Sequence, residues 1–325
     1  IDLPHVPAKE LGPPSAYDGA AATLDAWLAD GTMAITPEPA MFAYRQTFEV
    51  AGKTYARSGM ACTLDTVDFG PREGGGVLPH EQTFSGPKED RRALMKATRA
   101  QLSPIFGLHA DASGRATQIV RGICESRAAD MTADLGDGVT HEVWTVADAA
   151  TIGAYRDALA GEDVFIADGH HRYTTQLNYL RELDAEGGAG PDHPARRTMF
   201  VLVGLADPGL YIGPTHRVLG GMKSYDIDRF QRAAEGILDI EPVDNDPSRF
   251  HDEIEHVSAK TGRRAVGLLD FATGLCFCAT PATDDPLQDR FPDKPRAWRD
   301  LDVALVQHLI VEEVCEPELN NGRPI

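Results

Sequence analysis

The chain reads as an α+β protein, a mixed sheet built from several hairpins with helices interleaved between them. Three observations predict this. Alternating apolar runs come in pairs around tight turns, as in "AMFAYRQTFEVAGKTYARSGMACTL". Segments with helical apolar spacing separate those pairs. No GxGxxG follows a strand and no GxxxxGK[ST] loop is present, so this is neither a dinucleotide-binding βαβ array nor a P-loop protein.

The elements follow in order. "SAYDGAAATLDAWLADGTM" predicts a helix with Leu24, Trp27 and Leu28 on one face and Gly31 as its stop. The hairpin quoted above turns at Ala51-Gly52. A glycine-rich connection, "FGPREGGGVLPHEQTFSGP", leads to a helix from about Pro87 to Gln101, which Ser85 can cap. A second hairpin turns at Gly136-Asp137-Gly138, and a helix near 148–160 precedes the strand "DVFIA" and the helix after it. "TMFVLVGL" and "LYIGPTHRVL" predict two strands joined at Asp207-Pro208-Gly209. The helix "DIDRFQRAAEGIL", the hairpin "RAVGLLDFATGLCFCAT" and the helix "LDVALVQHLIVEEV" complete the pattern. The expected organisation is one large α+β domain over residues 1–325, with 125–160 as the alternative place for a subdomain boundary. The chain starts without Met and stops just after a helical segment, so both ends are expected to be truncated.

Composition narrows the function classes. Fifty acidic against 31 basic residues give a net charge of −19, which argues against general binding to a nucleic-acid backbone but leaves room for one local anion pocket. No apolar run is long enough to span a bilayer, and "IDLPHVPAKELGPP" has the pattern of neither a signal nor a transit peptide. The five cysteines (Cys62, Cys124, Cys276, Cys278, Cys315) are sparse and odd in number, which predicts reduced thiols and a cytoplasmic setting. Cys276 and Cys278 share a strand face and read as small buried hydrophobes, since nothing nearby completes a zinc site.

The stretch "ADGHHRYTTQ" breaks a local rule. Tyr173, Leu177, Leu180 and Leu183 mark one apolar helix face. Asp168 is a natural cap, and Gly169 permits a tight turn from the preceding strand. His170, His171 and Arg172 then place cationic groups in the first helical turn, where the helix dipole favours anions. A bound phosphate or carboxylate reverses that argument, because its charge suits the dipole, Arg172 and histidine donors together. The bland alternative has neutral, hydrogen-bonded histidines and Arg172 paired with a carboxylate. Adjacent histidines point to different faces, which disfavours their sharing a metal.

A second constellation is "VLPHEQTFSGPKEDRRALMKATRAQLSPIFGLH". Residues 86–101 carry Lys88, Arg91, Arg92, Lys96 and Arg99 against Glu89 and Asp90, a basic island that would focus an anion or else a solvated helix face. Upstream, His80 and Glu81 offer a candidate general base or Mg²⁺ ligand, and Thr83 is close by in sequence. A third place is "GPTHRVL", where Thr215, His216 and Arg217 repeat the His-Arg pairing. No GxSxG, HExxH or CxxC is present, so the common hydrolase, zincin and redox signatures are missing.

Those three motifs, in that order, resemble the bacterial and archaeal family catalogued as domain of unknown function 1015. Members usually begin with a "VAPPYDV"-like stretch and end with a "KSTYFYPK"-like one; neither is in this chain, which agrees with truncation. The DGHHR box is also similar to the phosphate-binding box of the ParB/sulfiredoxin-like fold. That group includes nucleotide-dependent free-serine kinases, CTP-using ParB proteins and ATP-using sulfiredoxin. The resemblance implies a ParB/sulfiredoxin-like element around the box, with Asp168, Gly169, His170, His171 and Arg172 binding nucleotide phosphates and a nearby carboxylate, Glu81, as base.

The resulting expectation is a nucleotide-dependent phosphotransferase that uses ATP or ADP with Mg²⁺ on a small hydroxyl-bearing metabolite, free serine first. Glu81, Asp168 and His170 are its catalytic candidates. Gly169, His171, Arg172, Lys88, Arg91 and Arg217 are its phosphate ligands, and His80, Thr83, Tyr173, Thr215 and His216 its support. The alternatives are a phosphohydrolase using a metal on His80, His170 and Asp168, and a non-catalytic nucleotide or phospho-metabolite sensor. The expected partner is a small molecule, with no nucleic acid and no membrane; the oligomeric state stays open.

Overall fold

The computed structural model of the chain describes residues 1–6, 10–81, 85–246 and 249–323. Contacts divide it into two compact units, Ile1–Ile212 and Gly213–Ile325; the stretch 125–160 runs within the first.

The first unit contains α1 (Pro14–Asp30), β1 (Met41–Val50), β2 (Lys53–Asp65), β3 (Val77–Leu78), α2 (Ser85–Thr98), β4 (Ile105–His109), α3 (Arg115–Ser126), β5 (Met131–Asp134), β6 (Thr140–Val146), α4 (Ala149–Ala158), β7 (Val164–Asp168), α5 (His170–Ala185) and β8 (Arg197–Gly204). Its strands form one sheet in the order β3-β7-β4-β8-β2-β1-β6-β5. The pairs β3/β7 and β4/β8 are parallel and the others antiparallel, so the mixed sheet predicted from interleaved hairpins is found. The β1-β2 hairpin closes as its sequence demands: Ala51 and Gly52 both have positive φ, 49° and 75°, which matches the right-handed twist of the paired strands.

One face of this sheet is the core. Ala43, Met60, Trp144, Ile166, Phe200 and Leu202 are buried with Val120 and Cys124 of α3 and Tyr155 of α4. Each large apolar side chain so buried contributes roughly 1.5–3 kcal/mol. Tyr173, on α5, joins the same core.

The second unit contains α6 (Ile227–Ala233), β9 (Leu238–Pro242), α7 (Phe250–Thr261), β10 (Val266–Leu269), β11 (Cys276–Pro281), α8 (Arg296–Arg299) and α9 (Asp302–Leu305), the last running on as a wider, π-wound helix over Val306–Leu319. Its three strands form an antiparallel sheet, β10-β11-β9. All five cysteines are unpaired and buried, as small hydrophobes should be.

Several expectations need correction. "LYIGPTHRVL" is no strand: the backbone from Leu210 to Gly220 is irregular, because Pro214 and two glycines deny it a partner ladder. The helix expected to run through Leu238 ends at Ala233, and Leu238 opens β9 instead. On α1 the buried stripe is Tyr17, Ala20 and Leu24, while Leu28 is exposed. The strand β4 and the helices α3 and α7 went unpredicted; β4 has only five residues, centred on a glycine. Among the described residues no helix is long and apolar enough to cross a membrane.

Candidate functional site

The strand-to-helix turn forms where the sequence placed it. β7 ends at Asp168, Gly169 takes φ +106°, and α5 starts at His170. A Cβ on residue 169 would adopt a backbone that L side chains avoid and would lie 3.1 Å from the Arg172 guanidinium. The cap differs from expectation. Gly169, not Asp168, holds that position, and no side chain caps α5. The Asp168 carboxylate, 75% exposed, is bound through Oδ2 to Nη2 of Arg172, whose Nη1 donates to the Pro104 carbonyl. Arg172 therefore folds back across the turn and ties it to the segment before β4.

His170 is 2% exposed and held at both ring nitrogens. The backbone N–H of His80 donates to its Nε2 at 3.2 Å, and its Nδ1 lies 3.2 Å from Oε1 of Glu81. Because Nε2 accepts, the neutral ring carries its proton on Nδ1, the nitrogen that lies beside Glu81. Burial, with the neighbouring His80 ring, pushes the His170 pKa below the usual histidine range. His80 stands edge-on to His170, ring centroids 4.4 Å apart, and its Nδ1 donates to the Ile166 carbonyl at 2.8 Å. A loop some ninety residues upstream is thus fastened to the DGHHR turn, and the 52%-exposed carboxylate of Glu81 lies beside a buried imidazole.

The grouping differs from the one expected for a metal. The ligand atoms of His80, Glu81 and His170 lie within 4.8 Å of one another, whereas Asp168 belongs to no such group among the described residues. A second group, His109, Asp111 and Glu162, closes a structural network: Asp111 accepts from the N–H groups of Ala116 and Thr117 at the start of α3, and Glu162 accepts from His109 and from the Asp111 N–H.

The basic island on α2 is largely neutralised. Arg91 donates to the carboxylate and carbonyl of Asp2 at 2.8 and 2.6 Å, and Arg92 and Lys96 share Glu182 of α5 at 2.8 and 2.7 Å. Those pairs remove most of the field that would focus an anion. Arg91 and Arg172 do line one cleft with Ser103 and Thr175, but at about 40 Å³ it is too narrow for a nucleotide. Lys88 is half-buried on α2. His171, half-buried, has interaction partners of its own.

Tyr173 is structural. Its hydroxyl accepts from the Val67 N–H at 3.0 Å and donates to the Val67 carbonyl at 2.8 Å, pinning the chain after β2. Thr83 lies outside the described residues. Thr215, His216 and Arg217 are exposed or nearly so on the irregular segment of the second unit, where Arg217 borders a cavity with Tyr225 and Asp270.

Sequence reasoning missed Tyr44, Gln46 and Arg57. They share a cavity of about 190 Å³ with Pro104, Phe106 and Asp168 on the sheet face opposite the core. The available signal was an arginine at an alternating position inside the apolar hairpin strand "KTYARSGMACTLD".

No curated protein and no solved structure matches the chain. The family model described as "Protein of unknown function (DUF1015)" matches residues 1–304, so the motifs that carry the resemblance fall inside the match, and the chain belongs to this family.

Proposed function

We propose that the protein is a nucleotide-dependent phosphotransferase acting on a small hydroxyl-bearing metabolite, with free serine the first acceptor to test. The observation that carries this reading is the DGHHR turn itself. A sixteen-residue helix begins at a left-handed glycine with no side-chain cap, and an arginine lies folded over that glycine. Uncapped N–H groups, the helix dipole and a guanidinium form a receptor for phosphate oxygens. The likeness of the box to that of the ParB/sulfiredoxin-like fold, which includes free-serine kinases, supports the choice of nucleotide and acceptor.

The chemistry follows from the residues. The acceptor oxygen forms a bond to the terminal phosphorus as the bond to the nucleotide's bridging oxygen breaks, and the hydroxyl proton passes to Glu81. His170 Nδ1, 3.2 Å from that carboxylate, keeps a polar neighbour beside it for the transfer. Phosphoryl transfer asks for positioning and charge neutralisation rather than covalent catalysis, which Arg172 and the start of α5 provide. A Mg²⁺ ion prefers oxygen ligands and would come with the nucleotide, where it would neutralise phosphate charge.

A phosphohydrolase metal on His80, Glu81 and His170 is the second reading, favoured by their closeness. The hydrogen bonds weigh against it. A metal on Nδ1 would leave Nε2 protonated against the His80 N–H, setting two donors face to face.

The test is ³¹P NMR of the protein with Mg²⁺, ATP or ADP, and L-serine. A phosphomonoester signal requiring both nucleotide and serine supports the kinase. Inorganic phosphate released without acceptor supports the hydrolase, and binding without turnover would leave a sensor.

A further inference from the structure

The sheet of the first unit has a second face that the core does not use. Gln46 stands opposite Arg57, and Tyr44 opposite Gly59, in the β1-β2 ladder. Phe106 of β4 stands opposite Val201 on one side and Asp168 on the other. Register alone therefore gathers Tyr44, Gln46, Arg57, Phe106 and Asp168 around one cavity of about 190 Å³. Gly59 keeps its floor low, since a Cβ there would come within 2.8 Å of the Leu202 carbonyl oxygen.

Arg57 is unusual within it. Its guanidinium lies between the rings of Phe106 and Phe48, 4.8 and 5.6 Å from their centroids, and Nη2 donates to Oε1 of Gln46. Among the described residues fifteen other arginines are in an ion pair, whereas Arg57 has no carboxylate within 4.0 Å. A guanidinium offers five N–H donors in a planar fork, and here only one donor nitrogen has a partner. The aromatic rings hold the fork's faces and leave its edges for a planar, bidentate acceptor.

We infer that this cavity is the acceptor subsite, and that it takes a zwitterionic α-amino acid with a short hydroxylated side chain, Arg57 receiving the carboxylate and Asp168 facing the ammonium group. The purpose assigned to the site rests on the phosphotransferase reading; the binding chemistry does not. Two features select a zwitterion over a phosphate. The wall holds one cation and one exposed carboxylate, opposite charges that match the two ends of a zwitterion. The volume also suits a molecule of a few heavy atoms and not a nucleotide. Asp168 borders this cavity on one side and holds Arg172 of the phosphate-binding turn on the other, so acceptor and donor sites would share one residue.

The experiment is calorimetric and ligand-observed NMR titration of the full chain, without nucleotide, using L-serine, ethanolamine and 3-hydroxypropionate as probes. The last two lack, respectively, the carboxylate and the ammonium group. L-Serine is expected to bind at least about tenfold more tightly than either analogue, as loss of a charge-assisted contact implies. Arg57→Gln should weaken serine by a similar factor and leave ethanolamine unchanged, with Arg57→Lys between. Ethanolamine binding as tightly as serine, undiminished serine affinity in Arg57→Gln, or no binding of serine at millimolar concentration would each overturn the inference. The analogue series in the unaltered protein decides the matter even if the variants misfold. Arg57-dependent serine binding without phosphoserine formation would uphold the subsite and defeat the kinase. Phosphoserine formed with an unchanged KM for serine in Arg57→Gln would do the reverse.

Discussion

The backbone N–H of His80 donates to Nε2 of His170, and this one bond fixes which nitrogen of a buried imidazole carries the proton. With the proton on Nδ1, His170 sets a polar N–H beside the Glu81 carboxylate, 3.2 Å from its Oε1, and that carboxylate is the base in the proposed reaction. If Glu81 is the base of the proposed phosphotransfer, Glu81→Gln should lower that activity by about 10²–10⁴-fold while leaving nucleotide affinity within about threefold. Steady-state kinetics beside nucleotide titration checks it. Full turnover in this variant would require another base.

His170 also makes stability depend on pH. Burial lowers its pKa in the folded chain, so below about pH 6.5 the unfolded chain binds the extra proton first. Stability from this group is present above that pH and is lost as pH falls through the window below it. Urea midpoints should rise from pH 5 to pH 7. His170→Gln, whose Oε1 can still accept from the His80 N–H, should flatten that rise. An unchanged slope would mean other groups set it.

Gly169→Ala should destabilise the protein by about 1–2 kcal/mol, the cost of a left-handed backbone with a Cβ. It should also weaken phosphate binding, since the new methyl would press on the Arg172 guanidinium. Thermal unfolding with and without ATP separates the two effects.

Tyr173→Phe leaves the Val67 N–H and carbonyl without their partner, which predicts a loss of about 1–3 kcal/mol. The ring keeps its contact with Phe200, and Tyr173 has no role in the chemistry above. Activity per folded molecule should be unchanged.

Arg172→Ala should weaken ATP by roughly tenfold or more through loss of a charge-assisted phosphate contact. Isothermal titration at two salt concentrations checks this, and the difference from the unaltered protein should shrink at high salt. Unchanged affinity would mean that Arg172 serves only to tie Asp168 to Pro104.

Local pattern by itself determined a good deal. The β1-β2 hairpin was legible because two turn residues with positive φ interrupt two alternating runs. The β7-to-α5 turn was legible because a short apolar strand meets a glycine and then helical spacing. Such features depend on near neighbours, and backbone sterics fix them early. β4 was not legible, since five residues around a glycine show too little periodicity. Charge compensation was hidden for a different reason. Whether Arg91, Arg92 and Lys96 attract a ligand depends on Asp2 and Glu182, whose carboxylates come within 3 Å only through folding. Coulomb and hydrogen-bond energies fall off over a few ångströms in space, whatever the separation in sequence. The same reason explains why the bond from His80 to His170, and the cavity joining Arg57 to Asp168, belong to the tertiary structure alone.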